Sequence, residues 1–330
     1  MFSLSAAAVM PNRWFTRAPE HAVPAPGWVA REEAIMGTAI RVELWSDDPR
    51  AGDAAIDAVM AEMHRIDRAM SPYKPDSELS LLNREAHRRP VAVSEELYAL
   101  IARSIEFSRL SRGAFDITYA AVGHLYDFRQ RVRPGRDRVA AAVASIGYEG
   151  LELDGRSGTV RFARPGMRID LGGFAKGYAV DNGAEILARR GIAHALVSAG
   201  GDSRLLGDRR GRPWSVAIRD PRRAPGEAIA VLPLQDVAIS TSGDYERCFD
   251  EDGVRHHHLF DPRNGECARA VRSVTVIAGD GLTSEALSKT VFVLGAREGL
   301  ALIDTLVGVD AVVVDADGEL HFSAGLSRRG

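Results

Sequence analysis

The segment RIDLGGFAKG, Arg168 to Gly177, sets an acid, Asp170, and a cation, Lys176, around the paired glycines 172 and 173. Glycine lets a ligand's polar groups come close to the backbone, and a carbonyl such as that of Gly173 suits a hard cation. A helix that follows presents free amide N–H groups, which suit phosphate. Lys176 in its first turn opposes the dipole unless an anion sits there. Taken alone, the motif reads equally as a tight strand-to-helix turn with Lys176 reaching solvent. It fits neither the dinucleotide fingerprint nor the P-loop. A second group, HHHLFDPRNG from His256, holds three histidines. Adjacent strand residues face opposite ways, so they cannot all ligate one ion. His258 is the titratable candidate, with Asp261 three residues on to orient its ring. His256 reads as a surface residue, and the hairpin alone as ordinary structure. A third group, DGLTSEALSKTVFVLG, places Glu285 and Lys289 on one helix face, opposite Leu287, Thr290, Val291 and Leu294. Glu four residues before Lys is also the favoured exposed helix pair.

The elements that must position these groups follow from hydrophobic periodicity. AIMGTAIRVELW alternates as a strand through Trp45. From Ala51 to Met70, the positions Ile56, Val59, Met60, Met63 and Ile66 recur at helical spacing. SPYKPDSELSLLNREA reads as a loop and short helix, and a second amphipathic helix runs to Gly113, with Arg109 and Arg112 suiting its end. RIDLGG closes a strand, and the next helix stops at Arg189, Arg190 and Gly191. HALVSAGGD, PWSVAIRDP, DVAISTSGDYERCF and RSVTVIA carry strands, TSEALSKTVFVLG a helix, and GVDAVVVDADGELHFSAG a hairpin turning at Asp317–Gly318. Hairpins mixed with isolated helices predict an α+β fold.

Bulk properties narrow the function. A formal net charge of -3 over 330 residues, with scattered arginines, excludes a general nucleic-acid binder. No apolar run approaches the ~18 residues of a membrane span. Cys248 and Cys267 lack metal-ligand spacing and pair only if the fold joins them, which leaves a reducing compartment as the default. MFSLSAAAV lacks a basic flank and no lipid-acceptor cysteine is near, so a cytoplasmic protein is expected. Residues 1–30, ending in the proline-rich APEHAVPAPGW and beyond, are expected to form a flexible arm before one domain over 31–330.

MGTAI, SPYKPDSELSLLN, GAFDIT, IDLGGFAKGYAVD, SAGGD, TSGDYER, HHLFDPRNG and EALSKTVFVLG occur in one order from about Met36 onward. That series resembles the ApbE family of FAD:protein FMN transferases. The resemblance implies a T-fold-like α+β protein of two intertwined lobes holding FAD. It also implies magnesium-assisted transfer of FMN to a Ser or Thr of a target flavoprotein, with AMP released. Carried over by motif, Met36, Tyr73, Ala114, Phe115, Asp116, Asp170, Lys176 and Leu259 would contact FAD, and His258 would be catalytic. The metal would fall to Gly173, Glu285, Ser288 and the position of Lys289. The family usually reads ADALST where this chain reads SEALSK, and an ammonium has no lone pair for a metal. FAD hydrolysis to FMN and AMP is the runner-up activity. A flavin-binding protein without transfer activity is the rival from another class.

Overall fold

The computed structural model describes residues 25–219, 222 and 227–327. Two strands open it, β1 (Gly27–Ile35) and β2 (Thr38–Ser46). The single strand expected over Ala34–Trp45 is in fact a hairpin. The chain reverses at Met36 and Gly37, with φ of 54° and 70°, in the two-residue turn whose twist matches paired strands. Methionine is not a turn residue, so the alternation ran straight through it. Residues 27–30, expected in a flexible arm, belong to the β1 ladder. Residues 1–24 of that arm, including the MFSLSAAAV leader reading, lie outside the described residues.

Helix α1 (Pro49–Met70) starts at Asp48, whose carboxylate accepts from Arg50 N, and buries the apolar positions read from the sequence. Then come α2 (Glu78–Glu85), β3 (Val91–Ala92) and α3 (Glu95–Leu110), the last capped by Ser94 and followed by Gly113 at φ 81°. Short elements that were not legible in the sequence include α4 (Ala120–Gly123), α5 (Arg136–Val143), β4 (Leu151–Asp154) and β5 (Thr159–Phe162). Helix α5 buries no residue, so it has no apolar stripe to read.

Helix α6 (Ala175–Arg189) stops as expected, with Gly191 N bonded to Ala188 O and Ile192 N to Leu187 O around Gly191 at φ 77°. Next are β6 (Ala195–Ala199), β7 (Asp202–Leu206), β8 (Trp214–Arg219), β9 (Ala228–Leu234) and β10 (Ala238–Gly243). Strand β9, mostly half-exposed, was also missed. The chain continues through β11 (Cys248–Glu251), β12 (Val254–His257), β13 (Phe260–Asp261), β14 (Glu266–Cys267) and β15 (Val271–Ala278). It ends with α7 (Gly281–Ile303), β16 (Asp310–Asp315), β17 (Leu320–Phe322) and α8 (Ala324–Ser327). Helix α7 runs past the expected stop at Gly295, which is a kink at φ 81° instead of an end.

The fold is α+β. Its main sheet has the order β1-β2-β6-β7-β10-β15-β16-β17, with every neighbouring pair antiparallel. Helices α1, α6 and α7 pack against it, with α6 between and touching the other two. Val42, Val197, Val274 and Val313 from the strands meet Ile56, Met63, Leu187 and Val291 from the helices in one buried core. Both cysteines are free, so the fold does not join them. Among the described residues no helix is long and apolar enough to cross a membrane.

Candidate active site

RIDLGG does not end a strand. Residues 168–170 lie outside any ladder, and Asn83 of α2 takes the place of a neighbouring strand. Its Nδ2 donates to Ile169 O at 2.9 Å and its Oδ1 accepts from Ile169 N at 2.8 Å. Asp170 N then donates to Ile117 O at 3.0 Å. This docking aims the Gly172–Gly173 turn into α6.

The first turns of α6 and α7 meet at Gly177 and Gly281, where a Cβ on Gly177 would collide with the Gly281 carbonyl. Only glycine permits that approach, and the approach brings Glu285 across to α6. Glu285 is fully buried. Its Oε1 accepts from Lys176 Nζ at 2.5 Å and Lys289 Nζ at 3.2 Å, and its Oε2 from Gly177 N at 2.7 Å. Asp202, buried at the start of β7, accepts from Lys176 and from the Ser240 hydroxyl. Ser288 donates to Glu285 O at 2.9 Å, and its hydroxyl lies 3.1 Å from that of Ser240 and 2.8 Å from that of Ser242. The exposed-pair reading of Glu285 and Lys289 is therefore overturned. Both oxygens of Asp181 lie 2.8 Å from Gly281 N, so α6 also caps α7. Burial pushes the Asp181 carboxyl up to about 6 against these donors.

Two carboxylates, Asp202 and Glu285, face two ammoniums, Lys176 and Lys289, and the charges sum to zero. Burial disfavours the Lys176 charge, but Asp202 and Glu285 outweigh it and hold its pKa above the ordinary value. Burial would raise Asp202, and the Lys176 and Lys289 charges overcome that and leave it lowered. Magnesium does not suit this donor set. The oxygens of Glu285 and the Ser288 hydroxyl are engaged, and Lys289 offers no lone pair. The Lys289 stem lies 3.6–3.8 Å from where a Cβ on Gly173 would stand. Thr290 is no substitute, since its buried hydroxyl donates to Ala286 O at 2.9 Å.

The three histidines leave β12 in different surroundings. His256 rests against Phe249 with ring centroids 5.2 Å apart. His257 is structural: its Nε2 lies 2.8 Å from Ala268 O, and its Nδ1 accepts from Leu259 N at 3.2 Å. Burial lowers its pKa to about 4. His258 differs. Its backbone N donates to Arg247 O at 3.2 Å, while its ring Nδ1 is buried with no hydrogen-bond partner among the described residues. Burial, then the charges of Arg247, His257, Lys289 and Lys176, push its pKa down to about 3. Asp261 does not orient this ring. Its carboxylate instead accepts from the Arg263 guanidinium at 2.8 Å and from Arg263 N at 3.0 Å.

Arg247 links the pieces. Its charge acts on Asp170 and Tyr119 as well as His258, and a Cβ on Gly37 would stand 3.7 Å from its guanidinium. The Met36 turn therefore borders the site. Burial raises Asp170, opposed by the Gly172 N–H, Arg247 and the Tyr119 hydroxyl. Burial, with Asp170 and Tyr73 nearby, keeps Tyr119 protonated. Tyr73 itself is 82% exposed. Other expected contacts lie deeper. Phe115, beside buried Ala114, packs its ring 5.7 Å from Phe174. The Asp116 carboxylate is spent on Thr118 N, Thr118 Oγ1 and Tyr148 N at 2.7–2.8 Å. Leu259 is buried. Asp202, Tyr119 and Arg247 were not singled out from the sequence. Asp202 and Arg247 stand in SAGGD and TSGDYER, where a charge beside paired or turn glycines was the available signal.

Comparison with known proteins bears on this arrangement. A family model described as the ApbE family matches residues 36–313. An FAD:protein FMN transferase of Treponema pallidum is 34% identical over 318 residues, covering 91% of this chain and 88% of that protein. One from Vibrio cholerae is 33% identical over 300 residues, covering 88% of each. The crystal structure of the ApbE protein of Thermotoga maritima superposes with a TM-score of 0.84 at 32% identity, covering 92% of this chain and 99% of that one. The flavin transferase ApbE from Vibrio cholerae superposes at 0.80, with 29% identity and the same coverage.

Proposed function

The chain belongs to the ApbE family, and from that membership we infer that it is an FAD:protein FMN transferase, which moves FMN from FAD to a partner protein and releases AMP. We propose that the acceptor is a Ser or Thr hydroxyl and that the reaction runs at the junction just described. The observation supporting this assignment is the buried, unpartnered ring nitrogen of His258 among the cations Arg247, Lys176 and Lys289. A buried polar atom left without a partner calls for an explanation, and a substrate group provides one.

Phosphoryl transfer draws its catalysis from positioning and charge neutralisation. In the proposed reaction the acceptor oxygen bonds to the FMN phosphorus while its proton passes to His258. The bond from that phosphorus to the bridging oxygen breaks, and AMP leaves with the electron pair. Arg247, Lys289 and Lys176 attract the diphosphate, with the Met36 turn, Tyr73, Tyr119 and Asp170 bordering the bound dinucleotide. Burial above all, and these cations with it, keep His258 neutral before substrate arrives, so its lone pair is available. A bound diphosphate offsets their field and raises the ring's proton affinity when a base is needed. No step is assigned to magnesium, because the donors do not suit it.

His258→Ala tests the reading. FAD affinity, followed by flavin fluorescence, should stay nearly unchanged, while transfer, followed as FMN mass gained by the acceptor, should fall by about 10²–10⁴-fold. Equal loss of binding and transfer would make His258 a support for the pocket. AMP release with no mass on any acceptor would favour hydrolysis.

A further inference from the structure

We propose that this chain transfers FMN without a divalent metal, with the Lys289 ammonium bringing to the diphosphate the charge a metal would supply. The inference rests on the transferase reading above and concerns how that same site is neutralised.

The cluster at the α6–α7 junction is complete without an added ion. Asp202 and Glu285 carry two negative charges, and Lys176 and Lys289 carry two positive ones, all in ion pairs. A neutral side chain at position 289 would leave one buried acid uncompensated, which is the condition that draws in a cation. The lysine removes that condition. A divalent ion entering here would face two fixed ammoniums at close range, with Glu285 Oε1 already accepting from both of them and Oε2 from Gly177 N.

Lys289 also faces the reaction space. Its side chain is 17% exposed, and its stem lies along Gly173 instead of extending to solvent. Its charge acts on both Asp202 and His258. An ammonium has three donors. Glu285 engages one at 3.2 Å, and the others remain for phosphate oxygens. Lysine can neutralise a transferring phosphoryl group in this way as a point charge.

The test uses the full chain loaded with FAD. Magnesium chloride titrated calorimetrically should give no saturable heat through the millimolar range, and AMP release should proceed at the same rate in excess EDTA as in magnesium. Lys289→Thr should lower AMP release in EDTA by about 10²-fold, acquire a saturable magnesium site and recover rate when magnesium is added. Lys289→Arg should keep chelator-resistant turnover, and this variant decides the matter if the threonine protein does not fold. Saturable magnesium binding by the unaltered chain, or collapse of its turnover in EDTA, would overturn the proposal. Full chelator-resistant turnover by a folded Lys289→Thr would do the same. A chain that modifies its acceptor only with magnesium sinks this inference and leaves the transferase reading standing. One that neither releases AMP nor modifies an acceptor under either condition sinks both.

Discussion

Two clusters of charge in this protein look alike as chemistry and differ as structure. In the terminal hairpin, Asp315, Glu319 and His321 hold their ligand-type atoms within 4.8 Å of one another. All three come from β16, β17 and the turn between them. Asp315 Oδ1 accepts from the backbone N–H groups of Asp317, Gly318 and Glu319, each at 2.9 Å, and Oδ2 lies 2.7 Å from His321 Nε2. The cluster is half-exposed and satisfied by its own turn. At the α6–α7 junction the partners come from α6, β7, β10 and α7, and Lys176 reaches Glu285 across 109 positions of sequence. There the acids are buried and each charge depends on the others. Removing one partner from a buried group strands a charge away from water, whereas water replaces a partner lost at the surface. Proximity of like groups says little until burial is known.

The largest expected effect breaks the buried cluster. Glu285→Ala leaves Lys176, Lys289 and the Gly177 N–H without their shared acceptor, and should cost about 3–5 kcal/mol in urea unfolding. Asp315→Ala, its counterpart in the hairpin, should cost no more than about 1 kcal/mol. If the two losses are equal, the contrast between the clusters fails. Next in size is Gly177→Ala, which forces the α6 and α7 backbones apart and should cost about 1–3 kcal/mol. It should also lower FAD affinity, because the site spans both helices. Unchanged stability would show that the helices can slide without cost.

The smallest effect is the sharpest, because its sign differs between the two regions. Asp181, raised to about 6 by burial, keeps its proton in the folded chain after the unfolded chain has lost it. Its contribution to stability therefore falls as pH rises from about 3.9, the ordinary carboxylate value, to about 6. Asp315, lowered to about 2 chiefly by its bond with His321, behaves oppositely. Its contribution is present above the ordinary carboxylate value and is lost as pH falls through about 2. Thermal melts of Asp181→Asn and Asp315→Asn against the unaltered chain, each across its own window, should show differences that slope in opposite directions.

Regular elements with a full apolar stripe were legible. Ile56, Val59, Met60, Met63 and Ile66 on α1 are buried as their spacing required, and the stop of α6 at Gly191 follows from a left-handed position that glycine fills. Elements with little to bury were not legible, as α5 and β9 show. Segments whose partner is not a strand were misread. Ile169 reads like a strand residue because it is apolar within RIDLGG, yet the side chain of Asn83 satisfies its backbone.

By itself the sequence determined the α+β class and the order of the motifs, because periodicity and residue chemistry are local properties. It also determined that position 289 carries a lysine, and hence that the junction has one more positive charge than a threonine there would give. Tertiary structure alone decided what that lysine does. The spacing of Glu285 and Lys289 is equally that of a wet surface pair and of a buried cluster. The choice was made by Gly177 and Gly281, distant in sequence, which let two helix ends touch and carry Glu285 into contact with Lys176. The same holds for His258, whose neighbour Asp261 turned to Arg263 while burial, with the charge of Arg247 added, lowered its proton affinity. Burial and long-range charge depend on what the fold brings near, and no local pattern encodes them.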